Sequence, residues 1–152
     1  MAGYTDGMSD TADAPESDIF RHDHIALYVE DLDRSEAWYR DVLGFRPVLV
    51  KEWWSRSGRF VGRGEAIIAL FRRREGETWT SRGIPDRVHQ AFRVSGPAYA
   101  EFKRAFAERG IPFREMDHGI SRSIYFRDPD DYNLELTTYP GDGVRESVRA
   151  EG

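Results

Sequence analysis

Residues 123–138 read Ser-Ile-Tyr-Phe-Arg-Asp-Pro-Asp-Asp-Tyr-Asn-Leu-Glu-Leu-Thr-Thr, and this stretch decides the fold. Ser123 to Arg127 is rich in aromatic and β-branched residues, which suit a strand. Asp128-Pro129-Asp130-Asp131 is a turn, because proline presets φ and aspartate tolerates a left-handed backbone. From Asn133 to Thr137 polar and apolar residues alternate, so a second strand buries one face only. Glu135 shares its face with Asn133 and Thr137, opposite Leu134 and Leu136. A carboxylate in mid-strand, turned away from the main core, calls for a partner.

Two histidines elsewhere in the chain answer that need. His24-Ile-Ala-Leu-Tyr-Val29 alternates as a strand. Asp33 with Glu36 reads as an N-terminal cap of the Asp-x-x-Glu kind, opening a helix to Leu43 that Gly44 ends. Strands follow at 45–54, 59–63 and 66–71, and 72–86 is a charged connection. Then the order recurs. His89-Gln-Ala-Phe-Arg-Val94 is a strand, and Ser95-Gly-Pro97 opens a helix. Tyr99, Phe102 and Phe106 line one face of that helix, and Gly110 stops it. Strands at 112–116, 121–127 and 132–139 complete the pattern.

The recurrence is a repeat. His24-x-Ala26-Leu-x-Val29 matches His89-x-Ala91-Phe-x-Val94 at an offset of 65, and Gly44 matches Gly110 at 66. At the longer offset Ala69 lies opposite Glu135. The expected fold is therefore α+β, two tandem βαβββ modules (about 20–75 and 87–139) that make a curved mixed sheet around a cup. The equivalent positions in the first and last strands of each module hold His24, Ala69, His89 and Glu135. Two imidazoles and one carboxylate make a facial set suited to Fe2+, Mn2+ or Zn2+, with positions left open for a substrate. Taken singly, each of the three residues is more simply an ordinary strand histidine or a surface acid. Their common placement in the repeat favours a metal site.

Composition bounds the rest. The chain has 152 residues, 39% hydrophobic, with no cysteine and a net charge of −5. Asp6, Asp10, Asp13, Glu16 and Asp18 carry that whole charge, since residues 1–18 hold no Lys or Arg; the remainder is near neutral. Nucleic-acid binding by bulk charge is thus not expected. Residues 1–19 read as an acidic tail, 20–139 as one domain and 140–152 as a second tail. No apolar run approaches the roughly 20 residues of a membrane span. The absence of cysteine and of a secretory signal fits a cytoplasmic protein.

With these motifs in place, His24-Ile-Ala-Leu, Asp31-Leu-Asp-Arg-Ser-Glu-Ala-Trp-Tyr-Arg-Asp-Val-Leu-Gly-Phe45 and Ser123-Ile-Tyr-Phe-Arg-Asp-Pro-Asp130 with Leu134-Glu135-Leu136 resemble the vicinal oxygen chelate superfamily. That superfamily takes in glyoxalase I, extradiol dioxygenases, fosfomycin-resistance enzymes, methylmalonyl-CoA epimerase and bleomycin-resistance proteins. The resemblance covers about residues 20–139. It implies a glyoxalase-like fold, His24, His89 and Glu135 as metal ligands, a small vicinal-oxygen substrate, and a homodimer whose ligands can come from both chains. Glyoxalase I and the epimerase have Glu or Gln where this chain has Ala69, and alanine neither ligates a metal nor moves a proton. The pattern is closer to extradiol dioxygenases, slightly favoured, and to fosfomycin thiol transferases. A non-catalytic drug- or metabolite-binding protein, as in bleomycin resistance, is a third reading.

Under the dioxygenase resemblance, Tyr125 and His118 are candidate acid/base residues. Ser123, Phe71, Trp54 and Arg59 are candidate substrate contacts, with Trp53 and Arg63 beside them. The plainer readings are a packing role for Tyr125, a solvated loop position for His118, and core or dimer packing for the tryptophans.

Overall fold

The computed structural model describes residues 22–49, 58–77 and 82–141. The first module runs β1 (Ile25–Val29), α1 (Leu32–Leu43), β2 (Arg46–Val48), β3 (Gly58–Arg63) and β4 (Ala66–Arg72). The second runs β5 (Gln90–Arg93), α2 (Gly96–Glu108), β6 (Arg114–Asp117), β7 (Arg122–Arg127) and β8 (Asn133–Thr138). The curved mixed sheet is realised as two four-stranded sheets, one per module, ordered β1-β4-β3-β2 and β5-β8-β7-β6. In each sheet the first and last strands run parallel and the other neighbours antiparallel. Among the described residues no helix is long and apolar enough to cross a membrane.

Both helices end as their sequences dictate, with one shift. The N-cap of α1 is Asp31, whose carboxylate accepts from the Arg34 amide, and Asp33 falls in the first turn instead. Gly44 closes α1 at φ 72°, a left-handed value that costs glycine nothing. Ser95 caps α2 by accepting from the Ala98 amide, and a proline sits in the first turn.

One apolar core spans both modules. Tyr39 and Phe45 of the first and Phe92, Phe106, Phe126 and Leu134 of the second belong to it. Aromatic edges cross the boundary: Phe45 meets Phe92 at 5.5 Å and Trp38 stacks on Phe126 at 6.2 Å.

The polar seam is the turn 128–132. Asp128 Oδ1 accepts from the Asp130 and Tyr132 amides, each at 2.9 Å, while its Oδ2 accepts from the Tyr39 hydroxyl at 2.8 Å. Asp130 reaches the start of α1, accepting from the Glu30 amide, Arg34 and the Ser35 hydroxyl. Tyr132 donates to the Tyr28 carbonyl. Asp131 adopts φ 70°, the left-handed conformation that aspartate tolerates.

Burial pushes the Asp128 carboxyl from 3.8 up to about 6 against these donors. Its proton is therefore held more tightly in the folded chain than in the unfolded one. The stability that this difference confers is complete below pH 4 and is lost as pH rises through about 6, a change of about 3 kcal/mol. Urea denaturation between pH 4 and 7 is expected to show that slope. Asp128→Asn, which keeps an acceptor for the amides, is expected to abolish it.

Candidate metal and substrate site

The cross-strand register sets equivalent groups side by side in the two modules. In the first, Ala26 of β1 pairs with Ala69 of β4, which pairs with Phe60 of β3. In the second, Ala91 of β5 pairs with Glu135 of β8, which pairs with Tyr125 of β7. A histidine stands two residues before each alanine. His24 meets the Phe60 ring edge-on at 5.5 Å, and His89 meets the Tyr125 ring edge-on at 5.4 Å.

The second module holds a continuous polar chain. His89 Nε2 lies 2.8 Å from Glu135 Oε2. Glu135 Oε1 accepts from the Tyr125 hydroxyl at 3.1 Å, and that oxygen lies 2.8 Å from His118 Nε2. Glu135 is buried at 7% exposure, whereas His118 is exposed. Burial and the neighbouring Glu135 carboxylate raise the Tyr125 pKa above its ordinary value, so the phenol stays protonated near neutrality.

The hydrogen assignment around His89 bears on what the site can hold. Its Nδ1 lies 3.0 Å from the Asp86 carbonyl, which can only accept, so Nδ1 carries a proton. In the neutral ring Nε2 then presents a lone pair to a carboxylate oxygen. Two acceptors at that distance need a proton, on the imidazole or on the carboxyl, or a cation between them. Cis ligands bound at about 2.1 Å would stand about 3 Å apart, so this pair fits a divalent ion. His24 likewise sets its Nδ1 against a carboxylate, that of Asp23. Within one chain, however, no three His, Asp or Glu side chains among the described residues gather as a metal-holding group. The structure brings together His89 and Glu135, with Tyr125 and His118 behind them; His24 belongs to the other sheet.

The proposed substrate contacts divide. Phe71 is half-buried on the Ala69 face, with its ring over Gly58: a Cβ built at Gly58 would sit 2.8 Å from Phe71 Cδ1. Ser123 is fully buried and donates to the Thr137 hydroxyl at 3.0 Å, so it forms the floor beside Tyr125. Arg59 pairs with Leu70 rather than with Ala69 in the register, and its guanidinium binds Asp33 at 2.6 Å and Glu36 at 3.1 Å on α1. It therefore braces the helix, and Phe60 takes the place beside His24. Arg63 likewise turns to α1, donating to the Leu43 carbonyl. Trp53 and Trp54 lie outside the described residues.

The comparisons with known proteins agree with this fold. The model of the Glyoxalase/Bleomycin resistance protein/Dioxygenase superfamily matches residues 21–136. The chain belongs to that superfamily. Among curated relatives, virulence protein STM3117 of Salmonella typhimurium is 31% identical over 126 residues, covering 80% of this chain and 85% of that protein. Glutathione transferase FosA of Serratia marcescens is 26% identical over 113 residues, covering 74% and 77%. Among solved structures, integron cassette protein HFX_CASS4, from the mobile metagenome of the Halifax Harbour sewage outfall, superposes with a TM-score of 0.63 at 25% identity. It covers 79% of this chain and 99% of that one.

The close approach at Gly58 gives a direct check on the first-module wall. Gly58→Ala is expected to displace the Phe71 ring and cost about 1–3 kcal/mol of unfolding free energy. Denaturation of the variant beside the parent measures it.

Proposed function

We propose that this protein is a divalent-metal-dependent enzyme acting on a small molecule with neighbouring oxygens. In this reading one site uses His89 and Glu135 of one copy and His24 of a second copy. The observation that carries it is the face-to-face placement of His89 Nε2 and Glu135 Oε2, at the spacing of two ligands on one divalent ion. One further feature supports it: β1 and β5, which follow the two histidines, are each an edge strand of their sheet, so a second copy can approach there. A bound divalent ion would polarise the substrate oxygens as a Lewis acid.

The chain's own groups supply orientation and protons. Glu135 is held at both oxygens, by His89 and by Tyr125. Tyr125 keeps its proton on the hydroxyl near neutrality and can donate it to an oxygen that gains charge during the reaction. His118, exposed and in contact with that hydroxyl, can return the proton from solvent. Ala69 offers neither a fourth ligand nor a proton carrier, which disfavours isomerase chemistry.

Two reaction classes remain. The relationship to a glutathione transferase supports transfer of a thiol to an electrophilic substrate. The His118–Tyr125 pair supports the second reading, oxygen insertion into a catechol ring, for which an acid/base pair beside the metal is apt. Elemental analysis and two assays separate them. Manganese-dependent thiol addition to an epoxide supports the first, and iron-dependent oxygen uptake on catechols the second. A protein that binds no divalent metal would end the enzymatic reading.

Two predictions follow from the ligand set. Glu135→Gln and His89→Ala are each expected to weaken divalent-metal binding at least 10-fold in equilibrium dialysis. Mixing and refolding His24→Ala with Glu135→Ala, each inactive alone, is expected to restore about a quarter of parental activity, because half of the random pairs then hold one intact site. A site built within one chain would recover none.

A further inference from the structure

A cavity of about 380 Å³ opens where the two modules meet, near the Phe45–Phe92 contact. Four buried residues line it: Leu43 at the end of α1, Phe45, Phe92 of β5 and Leu136 of β8. Ala98 and Phe102, one turn apart on the same face of α2, add a wall. Leu136 follows Glu135 in β8 and points to the opposite face of the sheet. The cavity therefore lies behind the candidate metal site, on the helix side. Protein interiors hold few voids larger than a water molecule, and small-molecule sites start at about 300 Å³. This space has the size of a ligand site, and its apolar lining suits a hydrocarbon body.

Its polar lining is one-signed. Among the described residues, Arg63, Arg93 and Ser95 line the cavity and no acid does. All three are exposed, so they stand at the mouth. Arg63 donates through Nη1 to the Leu43 carbonyl at 3.0 Å, and its guanidinium carbon lies 5.9 Å from the centre of the Phe102 ring. Neither contact is a carboxylate, and a guanidinium carries five N–H donors. Arg93 rests over the Tyr139 ring at 4.9 Å and adds a second positive charge. Ser95 accepts from the Ala98 amide, which leaves its hydroxyl proton to donate. An apolar floor below a cationic mouth complements an amphiphile with a negative head.

We propose that this cavity is a binding site for a small monocarboxylate with an apolar body, of the medium-chain fatty acid kind. The carboxylate meets Arg63 at the mouth, and the chain lies against Phe45, Phe92 and Leu136. The site is separate from His89 and Glu135, and the proposal does not rest on the metal-site reading.

Calorimetric titration of the full-length protein with octanoate, octanol and octylamine at neutral pH tests it. Octanoate is expected to saturate a single site per chain and to bind roughly 10-fold more tightly than octylamine, whose charge is opposite. Arg63→Gln is expected to weaken octanoate about 5-fold and to leave octanol nearly unchanged. Ala98→Phe, which sets a ring inside the cavity, is expected to abolish octanoate binding, with thermal melting showing the variant folded. Nuclear Overhauser contacts from the octanoate chain to the Leu136 methyls place the ligand in the parent without any substitution. The proposal is overturned if octanoate shows no saturable binding, if octylamine binds as tightly, or if the chain contacts other residues and not Leu136. Parental affinity in a folded Ala98→Phe protein also overturns it. Octanoate affinity that falls as protein concentration rises would mean that a second copy covers the cavity, and rejects the proposal equally.

Discussion

The turn between β7 and β8 is the joint on which the rest of the molecule depends. Asp130, with its side chain 4% exposed, satisfies the Glu30 amide, the Ser35 hydroxyl and Arg34 at the start of α1. A carboxylate there also meets the positive end of the helix dipole. Asp128, two residues earlier, anchors the Tyr39 hydroxyl from the middle of the same helix. Hydrogen bonds to charged groups contribute about 1.5–3 kcal/mol each, so breaking the joint costs more than an ordinary surface contact. The turn also sets how β7 and β8 emerge, and those strands carry Tyr125 and Glu135. The seam that holds the modules together therefore also positions the candidate chemistry.

The two modules share a backbone plan and differ in the side chains at equivalent places. His24, Ala69 and Phe60 stand in the first where His89, Glu135 and Tyr125 stand in the second. The first set offers one imidazole and an apolar wall. The second offers an imidazole, a carboxylate, and a phenol in contact with an exposed histidine. A phenylalanine where the other module has a tyrosine fits this split: Tyr125 has Glu135 to accept its proton, and a hydroxyl beside Ala69 would have no such acceptor. Repetition supplied the scaffold, and the polar groups concentrated on one half of it.

Much of this was legible in the sequence because it depends on local periodicity. Alternation placed Glu135 opposite Leu134 and Leu136, and the offset of the repeat set His24 against His89. What escaped depended on partners far along the chain. Asp31 and Asp33 are both acceptable caps, and only the observed contact with the Arg34 amide selects Asp31. Arg59 sits in a short, Gly-flanked strand without clear alternation, so its face becomes evident only from its pairing with Leu70 and its ion pairs to α1. Ser123 reads as available by its spacing from Tyr125, yet Thr137 across the ladder takes its hydroxyl into the core.

Following protons inward from solvent, His118 can donate to the Tyr125 oxygen, Tyr125 donates to Glu135, and the Asp86 carbonyl holds the Nδ1 proton of His89. Each of these contacts has one donor and one acceptor. Only the contact between His89 Nε2 and Glu135 Oε2 is left short of a proton or a cation. A proton there would make a partly buried imidazolium–carboxylate pair, whose desolvation offsets much of its attraction. In the proposed reading a divalent cation would satisfy the same two groups and a third imidazole besides. His24, with Nδ1 against the Asp23 carboxylate and its place just before edge strand β1, is the third ligand in that proposal.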